Sequence, residues 1–204
     1  DSASLTLHQA MIEAHTWNST PSPLGELLIS DEIEAHMLLL NEIHIKSDNV
    51  GKMHMESVNR NIDDIIVLSK HVSNAEVPAM TIHPIGVTTG QEIGENGRSG
   101  GVYGTLVPPN PRLAPFLRAI VRRGALEPNL SKFDLTLEAT HHGPVMSLPT
   151  MYLEIGSSEK EWKDMKLASI WAEIIIENLS SKAPDQNKRW ILCIGGGHYA
   201  PRHR

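Results

Sequence analysis

"NIDDIIVLSKH", residues 61–71, gathers Ile62, Ile65, Ile66, Val67 and Leu68 into one apolar run. A run of that kind reads as a strand buried on both faces, inside a sheet. Shorter apolar segments follow at "AMTIHPIGV" and "PTMYLEIGS". "KFDLTLEAT" alternates, with Phe133, Leu135 and Leu137 on one face and Asp134, Thr136 and Glu138 on the other. "SPLGELLIS" and "AHMLLLNEIHI" read as two more strands, and "KRWILCIGGGH" as a buried strand that meets a glycine turn. Helical stretches lie between them. "DSASLTLHQAMIEAHTW" predicts a helix that starts near Ser2 to Ser4, and "PRLAPFLRAIVRRGALE" one closed by Gly124. Ser158 and Glu161 have capping-box spacing, ahead of a helix through Trp162, Met165, Leu167, Ile170, Trp171, Ile174 and Ile175 to about Leu179. Strands and helices interleave, so the expectation is a single α/β domain over residues 1–204, three-layer α/β/α with a mixed sheet. Residues 86–110, rich in glycine, are expected to form one long loop.

The formal net charge is −6, so any nucleic-acid contact has to come from a local basic patch. Cys193 is the sole cysteine, which excludes an intrachain disulfide and fits a reducing compartment. No signal peptide and no apolar run of membrane-spanning length is visible, and the expected location is the cytoplasm.

Ionisable residues gather where the apolar runs end. "EATHHGP" puts Glu138, Thr140 and His142 on one face of a regular strand and His141 on the other. Gly143-Pro144 ends that strand, and a bend there brings the two imidazoles together. The competing reading is a packed His141 bonded to backbone and an exposed His142. "GGGHYAPRHR" follows a buried run with Gly195, Gly196 and Gly197, then His198, Arg202 and His203. A glycine turn lets backbone N–H groups approach an anion, His198 can act as base or metal ligand, and Arg202 can hold a phosphate. The plain alternative is a turn with an exposed basic tail. His71 and His83 end two further runs, and Glu154 lies on a neighbouring strand. Together they suggest a pocket lined by imidazoles and carboxylates, ligand types that zinc prefers, assembled from distant segments rather than from a local signature. Arg112, Arg118, Arg122 and Arg123 share one predicted helix, with Arg118 and Arg122 on one face. That stripe reads as a phosphate-backbone contact or as a solvated charged face. His8, His15, His36, His44 and His54 receive no role.

"SKHVSN", "TIHPIG", "EATHHGP", "YLEIGSSEKEW" and "GGGHYAPRH", in that order, make the chain resemble the D-aminoacyl-tRNA deacylase of the archaeal and plant type. The resemblance spans nearly the whole chain. Val87 stands where archaeal members often have Asn, a plant-like feature that leaves any role of that Asn unfilled. The family begins with a further strand before "DSAS" and continues past "APRH", so the chain is expected to be truncated at both ends. The resemblance implies a core like that of peptidyl-tRNA hydrolases and nucleoside phosphorylases. It implies hydrolysis of the ester joining a D-amino acid to the 3′ end of tRNA, and in plants an association with removing aldehyde-modified D-aminoacyl adducts. It implies Zn2+ as cofactor and His71, His83, Glu138, His141, His142, Glu154, His198 and His203 as the matching positions.

The expected roles follow from the chemistry of ester hydrolysis. Glu138, His142, His198 and Glu154 are expected to be catalytic. His71, His83, His141 and His142 are expected to hold metal. Gly195, Gly196, Gly197, Arg202, Arg118 and Arg122 are expected to bind the acceptor end of a D-aminoacyl-tRNA, with the protein acting as a monomer. Two rivals stand beside this reading. One is a metal-free enzyme on a peptidyl-tRNA hydrolase or phosphorylase type of core. The other is a non-catalytic tRNA-binding module that works through its Arg helix.

Overall fold

Four strands form the central sheet in the order β4-β9-β5-β8. The structure, a computed structural model, describes residues 1–88, 100–181, 191–195 and 197–203. Its elements are α1 (Ser2–Ala14), β1 (Asn18–Thr20), β2 (Gly25–Ser30), β3 (Ala35–Leu40), α2 (Val50–Val58), β4 (Ile65–Lys70), β5 (Ala79–Pro84), β6 (Gly86–Val87), β7 (Thr105–Leu106), α3 (Leu113–Gly124), β8 (Asp134–Leu137), β9 (Thr150–Gly156), α4 (Glu159–Trp162) and α5 (Met165–Leu179). β4 runs parallel to β9, β9 antiparallel to β5, and β5 parallel to β8. The sheet is therefore mixed, as expected. β1, β2 and β3 form a separate antiparallel meander.

Strand alternation gives the central sheet two different faces. Ile66 and Leu68 of β4, Met80 and Ile82 of β5, Leu135 and Leu137 of β8, and Met151, Leu153 and Ile155 of β9 point to one side. There they meet Leu7, Ala10 and Met11 of α1, Phe116 and Ile120 of α3, and Leu167, Trp171 and Ile175 of α5 in a single apolar core. The opposite side carries Ile65, Val67 and Tyr152, packed with Val50 of α2, Ile85, Val107 and Met146. Between these lie Ser69, Thr81, His83, Thr136 and Glu154, which are polar and buried. This polar column on an otherwise apolar sheet is what the fold positions.

Several expected elements differ in detail. The stretch 158–179 is two helices rather than one. Ser158 and Glu161 do form the capping box, but Asp164 then caps a new helix by accepting from Lys166 N at 2.9 Å. The segment 86–110 contains the short β6–β7 ribbon, while residues 89–99 lie outside those described. α2 was not anticipated: its N-cap Asn49 and C-cap Asn59 are both left-handed, and Gly51 interrupts its pattern to lie against Ile65. Of the predicted strand at "KRWILCIGGGH", the described residues 191–195 form none. Residues 182–190 fall outside the described set, and Ile191, Leu192 and Ile194 are exposed with no strand partner among the described residues. An apolar run specifies burial only where another surface receives it, and no described element covers this one.

Candidate active site on the polar face of the sheet

β8 ends at Leu137, opposite Ile82 of β5. Glu138 N still donates to Ile82 O at 3.0 Å, but the regular alternation stops there. His142 takes a left-handed backbone (φ 47°), rare outside glycine, and the Gly143-Pro144 bond is cis. Gly143 packs against Gly100 and Gly101 so closely that a Cβ would lie 2.1 Å from Gly101 N, which makes glycine obligatory there. His141 and His142 consequently face the same space instead of opposite sides of a strand. The bend foreseen at Gly143-Pro144 does bring them together.

Their third partner is His83 on β5. The rings of His83 and His141 are 4.4 Å apart, those of His83 and His142 4.9 Å, and those of His141 and His142 4.5 Å. Each ring is anchored from behind by a backbone carbonyl, which can only accept. His83 Nδ1 donates to Pro84 O at 3.0 Å, His141 Nδ1 to Ala139 O at 2.7 Å, and His142 Nδ1 to Gly143 O at 2.6 Å. The proton is thereby fixed on Nδ1 in all three, and Nε2 is left to face the shared space. His83 Nε2 is buried without a hydrogen-bond partner. Burial and the neighbouring His83 charge push His141 down to about 4 and His142 down to about 3, so both are neutral at pH 7. Burial also disfavours a charge on His83, but the Glu154 and Glu138 carboxylates outweigh it and raise its pKa. A cation held among the three rings would take the place of that proton. Ligand atoms of His83, His141 and His142 lie within 4.8 Å of one another, so the donor set fits a zinc ion.

Next to this trio lies a carboxylate group. Glu138 Oε2 accepts from His198 Nε2 at 2.8 Å. His71 Nδ1 sits between the two acids, 3.0 Å from Glu138 Oε1 and 3.5 Å from Glu154 Oε2. The Glu138 contact is off the line of the N–H bond, an ion contact rather than an aligned hydrogen bond. Glu154 Oε2 also accepts from Thr81 Oγ1 at 3.3 Å. Burial disfavours charge on His71, but the two carboxylates override it and raise its pKa to about 10. Burial likewise opposes charge on Glu138 and Glu154, and the surrounding imidazoles reverse that and hold both well below the usual carboxylate range. Two buried acids are thus kept ionised by one buried imidazolium and its neighbours.

His198 reaches Glu138 because the C-terminal segment docks beside β8. Ala139 N donates to His198 O at 2.7 Å, and Thr136 Oγ1 donates to Tyr199 O at 3.1 Å. Tyr199 adds a hydroxyl 3.1 Å from His71 Nε2.

A family model described as D-aminoacyl-tRNA deacylase matches residues 58–204. The chain is 32% identical to the D-aminoacyl-tRNA deacylase of Arabidopsis thaliana, over 100% of this chain and 67% of that protein. The chain belongs to the D-aminoacyl-tRNA deacylase family. A relative of the same name from Thermoplasma acidophilum is 30% identical, over 99% of this chain and 69% of its own length. A solved crystal structure of a conserved protein of unknown function superposes with a TM-score of 0.76 at 25% identity, covering 99% of this chain and 67% of that one.

All but His203 of the positions that carried the resemblance to the deacylase family are gathered here, but not in one group. His83, His141 and His142 form the imidazole trio, whereas His71, expected beside them, lies with Glu138 and Glu154. These residues do not meet past one common sheet edge. β4 and β9 run opposite to β5 and β8, so His71 and His83 leave strands of opposite direction, and the side chains converge over the face of the sheet.

Gly195 and Gly197 are exposed, and Gly196 lies outside the described residues. Arg202 is exposed five residues beyond Gly197, and His203 Nε2 faces Gly195 O at 3.2 Å. The Arg helix divides in two. Arg112 is buried against Asp64 and Asn178 O, and Arg123 pairs with Glu127 and Glu173. Arg118 and Arg122 are exposed on α3, whose other side packs into the apolar core. The sheet therefore stands between these two arginines and the imidazoles.

Tyr152, Tyr199, Thr81 and His44 of this deacylase-family chain join the cluster without any local motif that marks them. Tyr152 and Thr81 lie on the same strand faces as Glu154 and His83, and strand alternation alone would have marked them.

Proposed function

We propose that this chain hydrolyses the ester of D-aminoacyl-tRNA, with Glu138 and His198 as its proton-handling pair and His83, His141 and His142 as its metal ligands. The carrying observation is the 2.8 Å bond from His198 Nε2 to Glu138 Oε2 beside three imidazoles whose ligand atoms lie within 4.8 Å of one another. A zinc ion held by those imidazoles supplies a Lewis acid for the ester carbonyl.

The protein groups handle the protons. Glu138, held ionised, accepts the hydrogen bond from His198 Nε2–H and so fixes that tautomer, which leaves Nδ1 as the basic nitrogen. His198 is partly exposed, with 34% of its side chain accessible, so water and an ester reach it. His198 Nδ1 takes a proton from the water that attacks the carbonyl carbon. It then returns that proton to the departing 3′ oxygen of the tRNA as the C–O bond breaks. The products are the free D-amino acid and tRNA. His71 and Glu154 touch neither nitrogen of His198. They hold Glu138 and His83 in place, His71 from the Glu138 Oε1 side and Glu154 from 3.7 Å beyond His83 Nε2. Arg202, on the segment that carries His198, is the phosphate contact for the acceptor end.

The test is hydrolysis of a D-aminoacyl-tRNA by wild type, His198→Ala and Glu138→Gln, each with and without a zinc chelator. The proposal predicts that both variants lose kcat and that chelation abolishes wild-type turnover. Full activity of His198→Ala would remove His198 from the reaction, and turnover indifferent to chelation would remove the metal.

A further inference from the structure

Tyr152 is fully buried on β9, on the same strand face as Glu154, and takes no part in the proton transfers above. Its ring stacks on His83 with centroids 5.2 Å apart and planes 23° from parallel. It meets His142 edge-on, at 4.8 Å and 73°. One phenol thus walls two of the three imidazoles.

The phenol is itself tied down. Its hydroxyl lies 3.1 Å from His44 Nδ1 and 3.4 Å from Gly143 O, the same carbonyl that accepts from His142 Nδ1 at 2.6 Å. His44 Nε2 faces Asp1 Oδ2 at 3.2 Å. That carboxylate draws the imidazole proton to Nε2 and leaves Nδ1 as the nearer of the two acceptors, with Gly143 O, that share the single Tyr152 O–H. Burial pushes His44 down to about 4, which fits a neutral ring with one free acceptor. His44 makes no ring contact with His83, His141 or His142, and it sits on the turn His44–Lys46, outside the sheet.

We infer that Tyr152, held by His44, is the positioning residue of the three-imidazole site, setting the ring planes of His83 and His142 and so the aim of their Nε2 lone pairs. A carbonyl behind Nδ1 fixes where a ring is hinged but leaves it free to swing about that bond. A stacked wall removes the swing, and the hydroxyl anchor keeps the wall from sliding. Groups behind ligating imidazoles commonly govern metal affinity by about 10- to 100-fold. The inference rests on the proposed metal role of His83, His141 and His142.

The test compares wild type, Tyr152→Phe, His44→Gln and His83→Ala by zinc affinity, measured in competition with a chromophoric chelator, and by the visible absorption of the Co2+-loaded proteins. Tyr152→Phe keeps the ring and loses only the anchor. His44→Gln alters a residue outside the sheet and decides the matter if the tyrosine variant does not fold. The expected result is zinc binding about 10-fold weaker in both, a shifted Co2+ band and a lower kcat with KM for the tRNA unchanged. His83→Ala is expected to lose binding outright. If His83→Ala binds zinc as wild type does, the metal reading and this inference fall together. If His83→Ala loses zinc while Tyr152→Phe and His44→Gln match wild type in affinity and spectrum, only the positioning role of Tyr152 is overturned.

Discussion

Glu138 Oε2 accepts a 2.8 Å hydrogen bond from His198 Nε2, and through it the last motif of the chain is tied to the end of β8. Glu138 is the more buried of the two, and its charge is sustained by His198, His71 and His83. Replacing it with Gln keeps the shape and removes the charge that selects the His198 tautomer. Glu138→Gln is expected to lower kcat by about 10²-fold or more with little change in KM, on the scale of general acid–base catalysis. Steady-state kinetics on a D-aminoacyl-tRNA check this, and a loss confined to KM would contradict it.

His71 is the cation that balances Glu138 and Glu154. His71→Ala leaves two buried carboxylates without it, and a loss of roughly 3–5 kcal/mol of stability is expected. The pH dependence has a definite sign. The folded pKa of His71, about 10, lies above its ordinary value of 6.5. Its contribution is therefore complete below about pH 6.5 and is lost as pH rises through 10. Denaturant titrations at pH 7 and pH 10 should show wild type losing stability over that interval, with the slope flattened in the variant.

His141 and His142 shift the other way, to about 4 and about 3. Their neutral forms are favoured in the fold, so stability rises with pH from about 3 to 6.5, where only the unfolded imidazoles hold protons, and levels off above 6.5. In metal-free protein at pH 6, long-range 15N–1H NMR is expected to show both rings neutral and protonated on Nδ1. Imidazolium signals from either residue at that pH would contradict the assignment of Nε2 as the free donor.

The segment that carries Arg202 docks through Tyr199 O on the polar face of the central sheet, whereas Arg118 and Arg122 lie on the helix packed against its apolar face. Arg202→Ala is expected to raise KM for the tRNA substrate and to reduce the dependence of log KM on log salt by about one unit. The double change Arg118→Ala, Arg122→Ala is expected to leave the rate at saturating substrate unaltered. The comparison is a salt series of kcat and KM for the three proteins.

The legible parts of this molecule were those set by local pattern. β5 and β9 were visible because apolar runs buried on both faces have few other fates, and Ser158 with Glu161 marked a true helix start; the run at 61–71 does form β4, but as an edge strand whose apolar residues are half-buried rather than buried on both faces. α2 was hidden because both of its caps are left-handed asparagines and its buried face is Gly51 and His54 rather than a stripe of large apolar residues. The "EATHHGP" stretch was readable as a site but not as a geometry. Alternation separated His141 from His142, whereas the end of pairing at Leu137 and the left-handed turn at His142 bring them together. His44 and Tyr199 were beyond reach for a different reason. Their contacts join residues 108 and 128 positions apart, and no local pattern encodes such pairs.

The central claim is that a family reaction runs on this cluster. Release of the amino acid from matched D- and L-aminoacyl-tRNA, followed with wild type and His142→Ala before and after zinc chelation, tests it most directly. Release from the D ester by wild type alone, lost on chelation and restored by zinc, is the expected result. Equal release by His142→Ala, or turnover that persists without metal, would contradict it.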